Sequence, residues 1–298
     1  MKEWGHVVVE VARRLAEEGR SAGPEAGMVL GAGDGKVEAR RMVEEASGYE
    51  GDQYAVGLTQ PVTARQLAHL DSMVERRLAG EPLQYVLGRW GFRGLDLMVN
   101  PAVLIPRPET ETLAGLAIAE LARRKPPGGL MVDLGTGSGA VGLAVAAECA
   151  TARVVLTDVS AEALAVARAN LAGLGRAAVR VSSHLGWWYE ALPDALVGAV
   201  DVVAANPPYV GDQEDLPAAV ADWEPEVALR GGPDGLDGAR PILAGARRWL
   251  RPGGTVLVEL SPDQMDTASA IAEAGGLAVE AVHPDLAGRP RVLQCRSC

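Results

Sequence analysis

The stretch Leu130-Met-Val-Asp-Leu-Gly-Thr-Gly-Ser-Gly-Ala-Val-Gly-Leu-Ala-Val-Ala-Ala-Glu148 decides the fold. Leu130–Leu134 is a short apolar run that reads as a buried strand, and Gly139–Glu148 reads as a helix. A glycine-rich turn separates them. The same alternation continues downstream. Val154–Thr157 predicts a strand and Ser160–Leu171 a helix, with further strands at Val179–Ser182 and Val200–Ala205. Arg240–Leu250 predicts a helix, Thr255–Leu260 a strand, and Met265–Glu273 a helix. Leu277–Val282 and Val292–Cys295 complete the sheet. Strands alternating with helices predict an α/β fold with a doubly wound, mostly parallel sheet.

The first hundred residues lack this alternation and read as a small helical domain. Trp4, Val7, Val8, Val11 and Leu15 form one helical stripe. Ser21–Gly35, with five glycines and a proline, predicts a loop, and Lys36–Ser47 a second helix. Thr63-Ala-Arg-Gln66 fits a capping box. The helix it opens is expected to turn Leu67, Leu70, Val74 and Leu78 inward and to end near Gly80. Between Pro82 and Pro108, Leu95, Leu97 and Val99 alternate with Asp96 and Met98, a strand signal, with Gly94 as the turn of a hairpin connector. Glu109–Lys125 predicts a helix, acidic at its start and basic at its end, stopped by Pro126-Pro127.

Composition limits the function classes. Of 298 residues, 48% are apolar and 22% charged, enough for a core and unlike a disordered chain. The net charge of −11 disfavours a phosphate-backbone partner, so no direct nucleic-acid contact is expected. The uncharged run Leu134–Ala147 is shorter than the ~20 residues of a membrane helix. The start, Met1-Lys-Glu-Trp-Gly-His6, lacks the sections of a signal peptide. Cys149, Cys295 and Cys298 are too few for a disulfide framework, and the expectation is a cytoplasmic protein. Cys295-Arg-Ser-Cys298 has zinc-knuckle spacing without a second pair, so it reads as a frayed terminus and no metal is expected. His6, His69 and His283 are scattered singly and read as ordinary surface or partly buried residues.

The chemistry is expected where the first strand ends. In an open parallel sheet, ligands sit outside the carboxyl ends of strands at the switch point. Gly135, Gly137 and Gly139, with Thr136 and Ser138, leave room for a ligand beside the backbone. Asp158, ending the second strand, is placed to accept from ribose hydroxyls. Gly137-Ser-Gly-Ala-Val-Gly142 also satisfies a dinucleotide fingerprint, and glycines serving only a tight turn are the plain alternative. Asp133, just before the loop, would repel a pyrophosphate and attract a cationic cofactor such as S-adenosylmethionine.

Asn206-Pro-Pro-Tyr209 follows the apolar strand Asp201–Ala205. Prolines remove backbone donors, so the carbonyls before them stay free to accept. The Asn206 side-chain carbonyl and the Pro207 backbone carbonyl then face one planar NH2 group, and Tyr209 stacks on its π plane. An amide nitrogen is a poor nucleophile because its lone pair is delocalised. Two acceptors on its hydrogens raise its electron density and aim it, which is positioning plus electrostatics with no charged base.

Asp133–Gly139 with Asn206-Pro-Pro-Tyr209 resembles the class I S-adenosylmethionine-dependent methyltransferases that modify planar nitrogen. Pro82-Leu-Gln-Tyr-Val-Leu-Gly88, Leu104-Ile-Pro-Arg-Pro-Glu-Thr-Glu111, Trp223-Glu-Pro-Glu-Val-Ala-Leu229 and Gly288-Arg-Pro-Arg291 narrow the resemblance to the HemK-type bacterial release factor glutamine N5-methyltransferases. The resemblance implies a seven-stranded sheet with a small N-terminal helical domain joined by a β-hairpin. It also implies a recognition domain at 1–81, a connector at 82–108 and a catalytic domain at 109–298. It implies methyl transfer to the glutamine of the Gly-Gly-Gln motif of class I peptide chain release factors, by a monomer. Carried over, Gly135, Thr136, Gly137, Ser138 and Gly139 would hold the methionine part and Asp158 the ribose. Asn206, Pro207, Pro208 and Tyr209 would hold the substrate amide, and Phe92 and Pro106–Thr110 would lie near the cofactor.

Two departures stand out. The family's adenine-facing acid is missing from Ser182-Ser-His-Leu-Gly-Trp-Trp-Tyr189, which leaves His184 or Trp187 for that place. Glu259-Leu-Ser261 replaces the usual Glu-x-Gly. Alternatives remain open: an adenine-N6 nucleic-acid methyltransferase, a glutamine methyltransferase of another translation protein, or a nucleoside-binding module without catalysis. Trp187-Trp188-Tyr189 is either a protein-contact patch or core, and Gly231–Gly238 either a lid or a flexible loop. Arg65, Arg76 and Arg77 read as a solvated helix face.

Overall fold

The computed structural model describes residues 2–18, 35–124 and 128–298. The expected loop at 21–34 and the helix stop at 125–127 lie outside them. The described chain forms two compact units. One runs to Arg89 and takes in Leu216–Trp223; the other comprises Trp90–Asp215 and Glu224–Cys298.

The first unit is helical: α1 (Trp4–Glu18), α2 (Gly35–Ser47), α3 (Ala64–Leu78) and the short α4 (Leu83–Leu87). The α1 stripe of Trp4, Val7, Val11 and Leu15 is buried against Met42 and Val43 of α2 and Leu70, Met73 and Val74 of α3. Each such side chain removed from water contributes roughly 1.5–3 kcal/mol. The capping box at Thr63 is closed: Oγ1 accepts from the Gln66 N–H at 3.3 Å, and Gln66 Oε1 accepts from the Thr63 N–H at 3.2 Å. Leu67 and Leu78 pack against this core partly buried, and Met73 joins Leu70 and Val74 within it. One expectation needs correction. Arg76 and Arg77 are not a free solvated face. Arg77 Nε donates to Glu38 of α2 at 2.8 Å, and Arg76 binds Glu81 and the Tyr85 carbonyl.

The hairpin strands β1 (Arg89–Phe92) and β2 (Leu95–Met98) are joined through Arg93 and Gly94. These have φ of 45° and 77°. Positive φ at both turn residues matches the right-handed twist of the flanking strands. Helix α5 (Thr110–Ala122) follows. Then come β3 (Gly129–Leu134), α6 (Ala140–Glu148), β4 (Ala152–Asp158), α7 (Ala161–Ala172), β5 (Val181–Leu185) and β6 (Val200–Ala205). The unit ends with α8 (Ala239–Trp249), β7 (Leu250–Glu259), α9 (Met265–Ala274), β8 (Leu277–Pro284) and β9 (Pro290–Ser297).

The sheet has seven strands in the order β5-β4-β3-β6-β7-β9-β8. The first five run parallel, and β9 is antiparallel to both of its neighbours. Side chains alternate between two apolar layers. Leu130, Val132 and Leu134 of β3 pack with Ile242 and Leu243 of α8, and Met131 packs on the opposite face with Leu113 and Leu143. Strand β5 starts at Val181 rather than Val179, because 175–180 coil into tight turns and leave Val179 exposed. The chain end is no frayed terminus. Cys295 is buried in β9, paired with Val256 and Val279, and only Cys298 is exposed.

Strand β3 lies between β4 and β6, and successive connections leave it in opposite directions across the sheet. This places a crevice at its carboxyl end, where β3 gives way to the glycine loop.

Candidate active site

A cavity of about 270 Å³ opens at that crevice, entirely within the second unit. Its floor is the loop after β3. Gly135, Gly137 and Gly139 have φ of 69°, 54° and 88°, a backbone that side-chain-bearing residues rarely adopt. A Cβ on Gly135 would come within 3.1 Å of the Trp188 ring, and one on Gly139 within 2.7 Å of Leu143. Gly135, Thr136, Gly137 and Ser138 line the cavity, while Gly139 lies behind them.

Two carboxylates frame the loop. Asp133 is 2% exposed, and its Oδ2 accepts from Thr136 Oγ1 at 2.6 Å and from the Gly142 N–H at 2.9 Å. Burial nevertheless pushes its pKa up to about 6, against the pull of those two bonds. Asp158, at the end of β4, accepts from the Gly137 N–H at 2.8 Å through Oδ2 and from the Ser160 N–H at 2.9 Å through Oδ1. Burial raises its pKa as well. Both face the cavity, so a cation there relieves a desolvation cost that the protein's own bonds do not cancel.

The opposite wall comes from the end of β6. Asn206 and Pro208 line the cavity, whereas Pro207 is buried beneath the wall and Tyr209 is not part of it. The Tyr209 ring faces the Arg291 guanidinium, 6.0 Å from its centroid, and its carbonyl accepts from Gln264 Nε2 at 2.8 Å. Asn206 Nδ2 donates to Thr110 Oγ1 at 3.2 Å, and Thr110 Oγ1 donates to Glu259 Oε1 at 3.2 Å.

Of the aromatic run after β5, only Trp187 stands exposed at the cavity rim. Trp188 lies edge-on to it with ring centroids 6.1 Å apart, reaches over Gly135 and Gly238, and packs against the core. Tyr189 is buried, stacked on Trp249, and donates to the Ile242 carbonyl at 2.9 Å. His184 is absent from the lining; it sits in register with Thr157. Phe92 is 2% exposed in the core with Leu97 and Leu113, also away from the cavity. From the expected Pro106–Thr110 segment, Pro106, Arg107 and Thr110 reach it.

Trp188 and Val227 line the cavity without having been singled out for it, and Gly231, Gly232 and Gly238 of the segment read as a lid or a flexible loop line it as well. Trp188 carried no signal beyond its neighbour Trp187, whereas Arg107 and Thr110 lie in the Leu104–Glu111 motif. The Gly231–Gly238 segment is tied down: the Gly231 N–H donates to the Val210 carbonyl at 2.9 Å, and the Asp237 N–H to the Gly231 carbonyl at 2.9 Å. Among the described residues no cluster of metal-ligating side chains occurs, and no helix is long and apolar enough to cross a membrane.

Residues 29–88 match the PrmC N-terminal domain and residues 115–222 the Methyltransferase small domain. A release factor glutamine methyltransferase of Cereibacter sphaeroides is 36% identical over 285 residues, covering 95% of this chain and 98% of the relative. The chain belongs to the release factor glutamine methyltransferase family. Two further members, from Bordetella pertussis and Streptomyces coelicolor, are 40% and 43% identical over 86% and 75% of the chain, and over 93% and 79% of their own lengths. A methyltransferase crystal structure from Pyrococcus furiosus superimposes with a TM-score of 0.50 at 18% identity. It covers 78% of this chain and 98% of that one, and bears on the fold alone.

As a member of this methyltransferase family, the protein uses S-adenosylmethionine as methyl donor. The cavity residues fit that group. The glycine loop leaves space where Cβ atoms would crowd, two buried carboxylates suit a cation, and the exposed Trp187 ring offers a flat apolar face at the rim.

Proposed function

We propose that this protein transfers a methyl group from S-adenosylmethionine to the side-chain amide nitrogen of the glutamine in the Gly-Gly-Gln motif of class I peptide chain release factors. Its relatives, named as release factor glutamine methyltransferases, support the substrate. The observation that carries the reading is the Asn206 amide on the cavity wall, held through Nδ2 by Thr110 and so presenting Oδ1 to a ligand's N–H.

In this reading the methyl donor, when bound, supplies a methyl made electrophilic by its sulfonium. Gly135, Thr136, Gly137, Ser138 and Gly139 shape its methionine site, Asp133 balances its charge, Asp158 takes the ribose hydroxyls, and Trp187 covers the adenine. Asn206 Oδ1 and the carbonyl of Pro207 accept the two hydrogens of the substrate amide, which aligns the nitrogen and raises its electron density. Pro208 completes the cradle, while Tyr209, outside the cavity lining, turns its ring toward Arg291. The nitrogen gains one methyl and gives up one proton. Residues 1–81 recognise the protein substrate, 82–108 connect, and 109–298 carry the chemistry. The enzyme acts as a cytoplasmic monomer, and its net charge of −11 supports a protein rather than a nucleic-acid substrate.

The test is mass spectrometry of a purified release factor incubated with the protein and S-adenosylmethionine. One added methyl on the Gly-Gly-Gln glutamine is the expected result. Methyl transfer to adenine in DNA or RNA, with the release factor untouched, would overturn the substrate.

A further inference from the structure

Asn206 is useful as an acceptor only if its amide faces the right way, and the two orientations of an amide differ little in shape. Something must choose between them. The choice is made on the buried side of the cavity wall, by groups distant in sequence.

Thr110 opens α5, is 5% exposed, and borders the cavity together with Asn206. Its hydroxyl has one hydrogen, and that hydrogen goes to Glu259 Oε1 at 3.2 Å. Glu259 ends β7, is 1% exposed, and does not reach the cavity. An ionised carboxylate only accepts, so it commits the Thr110 hydrogen and leaves Oγ1 with lone pairs alone. Only the NH2 end of Asn206 can then approach Thr110, as the 3.2 Å contact from Nδ2 shows. Oδ1 must point away. If the hydrogen were free, Thr110 could equally donate to Oδ1. The amide would then turn its NH2 toward a substrate NH2, donor against donor.

A second observation argues against a merely structural carboxylate. Glu259 Oε2 is buried with no hydrogen-bond partner among the described residues. A group kept only to satisfy Thr110 would need neither this orphaned oxygen nor a charge. We infer that Glu259, acting through Thr110, is the positioning residue that fixes which end of the Asn206 amide faces the cavity. The inference rests on the proposed amide methylation, because only a donor substrate needs Oδ1 forward.

The groups facing Glu259 are Arg107 and Glu109 ahead of α5, Arg291 on β9, and Tyr209 after β6. Burial outweighs the arginines and pushes the Glu259 pKa up to about 7. Protonation lets the carboxyl group donate as well as accept, which releases the Thr110 hydrogen.

The test compares Thr110→Val, which removes the hydroxyl at nearly constant volume, with Thr110→Ser, which restores it, and with Glu259→Gln, whose amide accepts or donates. Three readouts are taken: turnover on a release factor, S-adenosylmethionine affinity by calorimetry, and the Asn206 side-chain NH2 resonances, assigned by their loss in Asn206→Asp. Thr110→Val is expected to lower kcat about tenfold or more, with KM and cofactor affinity within about twofold. Its Asn206 NH2 pair should shift and lose exchange protection. Thr110→Ser should recover both properties. Wild-type kcat should fall as pH drops through 7, and in Glu259→Gln it should be lower and flat. Equal behaviour of the Val and Ser variants would overturn the inference, as would an unmoved NH2 pair. A wild-type protein that leaves release factors unmethylated would count against the proposed function, while the NH2 resonances would still decide the orientation of Asn206.

Discussion

Glu259→Gln should stabilise the fold, by an amount that grows with pH. Burial is the first cause of the raised pKa, and the Thr110 bond with the charges of Arg291 and Arg107 recovers only part of that cost. The pKa moves from an ordinary 4.5 in the unfolded chain to about 7 in the folded one. Between these values the folded state binds more protons than the unfolded state, so stability falls as pH rises. The contribution is fully present below the unfolded pKa and is lost by the time pH passes the folded one. At 1.36 kcal/mol per unit the shift is worth about 3 kcal/mol, a large share of the 5–15 kcal/mol that holds a typical domain. Gln keeps the shape, cannot ionise, and lacks this slope. The assay is urea unfolding of both proteins at a series of pH values from 4.5 to 8. The stability difference, variant minus wild type, should widen by about 3 kcal/mol across the series. Asp133, whose pKa also rises on burial, is common to both proteins and cancels in the difference. A difference that stays constant with pH would refute the reasoning, because Glu259 would then share one pKa in both states.

Three further outcomes are expected. Asn206→Ala should cost turnover a factor of about 10²–10³, the size seen when one preorganised polar group is removed from a reaction site. Cofactor affinity measured by calorimetry should stay within a few-fold, and an equal loss of both would break the assigned division of roles. Asp158→Ala should weaken S-adenosylmethionine binding by roughly 1–3 kcal/mol, and an unchanged calorimetric affinity would remove Asp158 from the ribose site. Gly142→Ala should destabilise despite its helical position. Its Cβ would run into Leu156 and come within 3.2 Å of Val154 Cγ1, an overpacking cost of about 1–3 kcal/mol against a propensity gain of about 1 kcal/mol. A denaturation midpoint at or above wild type would show that this helix–strand contact has slack.

The sheet was legible because its information is local. Leu130–Leu134 carries its burial in five consecutive residues, and Thr63 and Gln66 close their capping box within one helical turn. Reading failed where an apolar residue had no apolar partner in space. Val179 looked like the start of a strand, yet it is 88% exposed in a turn that precedes β5. The cavity divides the same way. Gly135, Gly137, Asp158 and Asn206 were found from their places at strand ends, since strand ends at a switch point converge. Phe92 and Tyr209 were expected by motif, but packing decides their facing: Phe92 turns into the core and Tyr209 toward Arg291. Thr110 and Glu259 meet across 149 positions, and no periodicity in either segment encodes that meeting.

Three features that folding alone disfavours gather round this cavity. Glu259 is buried with one oxygen unpartnered among the described residues, Asp133 is buried with its pKa pushed up to about 6, and Trp188 has φ of 41°, a backbone region that costs a non-glycine residue roughly 1–3 kcal/mol. In the sheet and helices of the same unit many local and global preferences agree: Leu130, Val132 and Leu134 of β3 face one apolar layer and Met131 the other, and α7 has its Ser160 cap bonded to Ala163 N–H at 3.1 Å. Positive φ also occurs at the Arg93 hairpin turn, but three conflicts meeting at one cavity, each with a side chain in or against its wall, are what a site selected for chemistry leaves behind. Asp133 gains its counter-charge when a cation binds, and Trp188 props the glycine loop from above at the cost of its own backbone. Glu259 has no such compensation from packing. In the proposed reading the hydrogen it draws from Thr110 sets the direction of the Asn206 amide, and that direction is the property this stability is given up to secure.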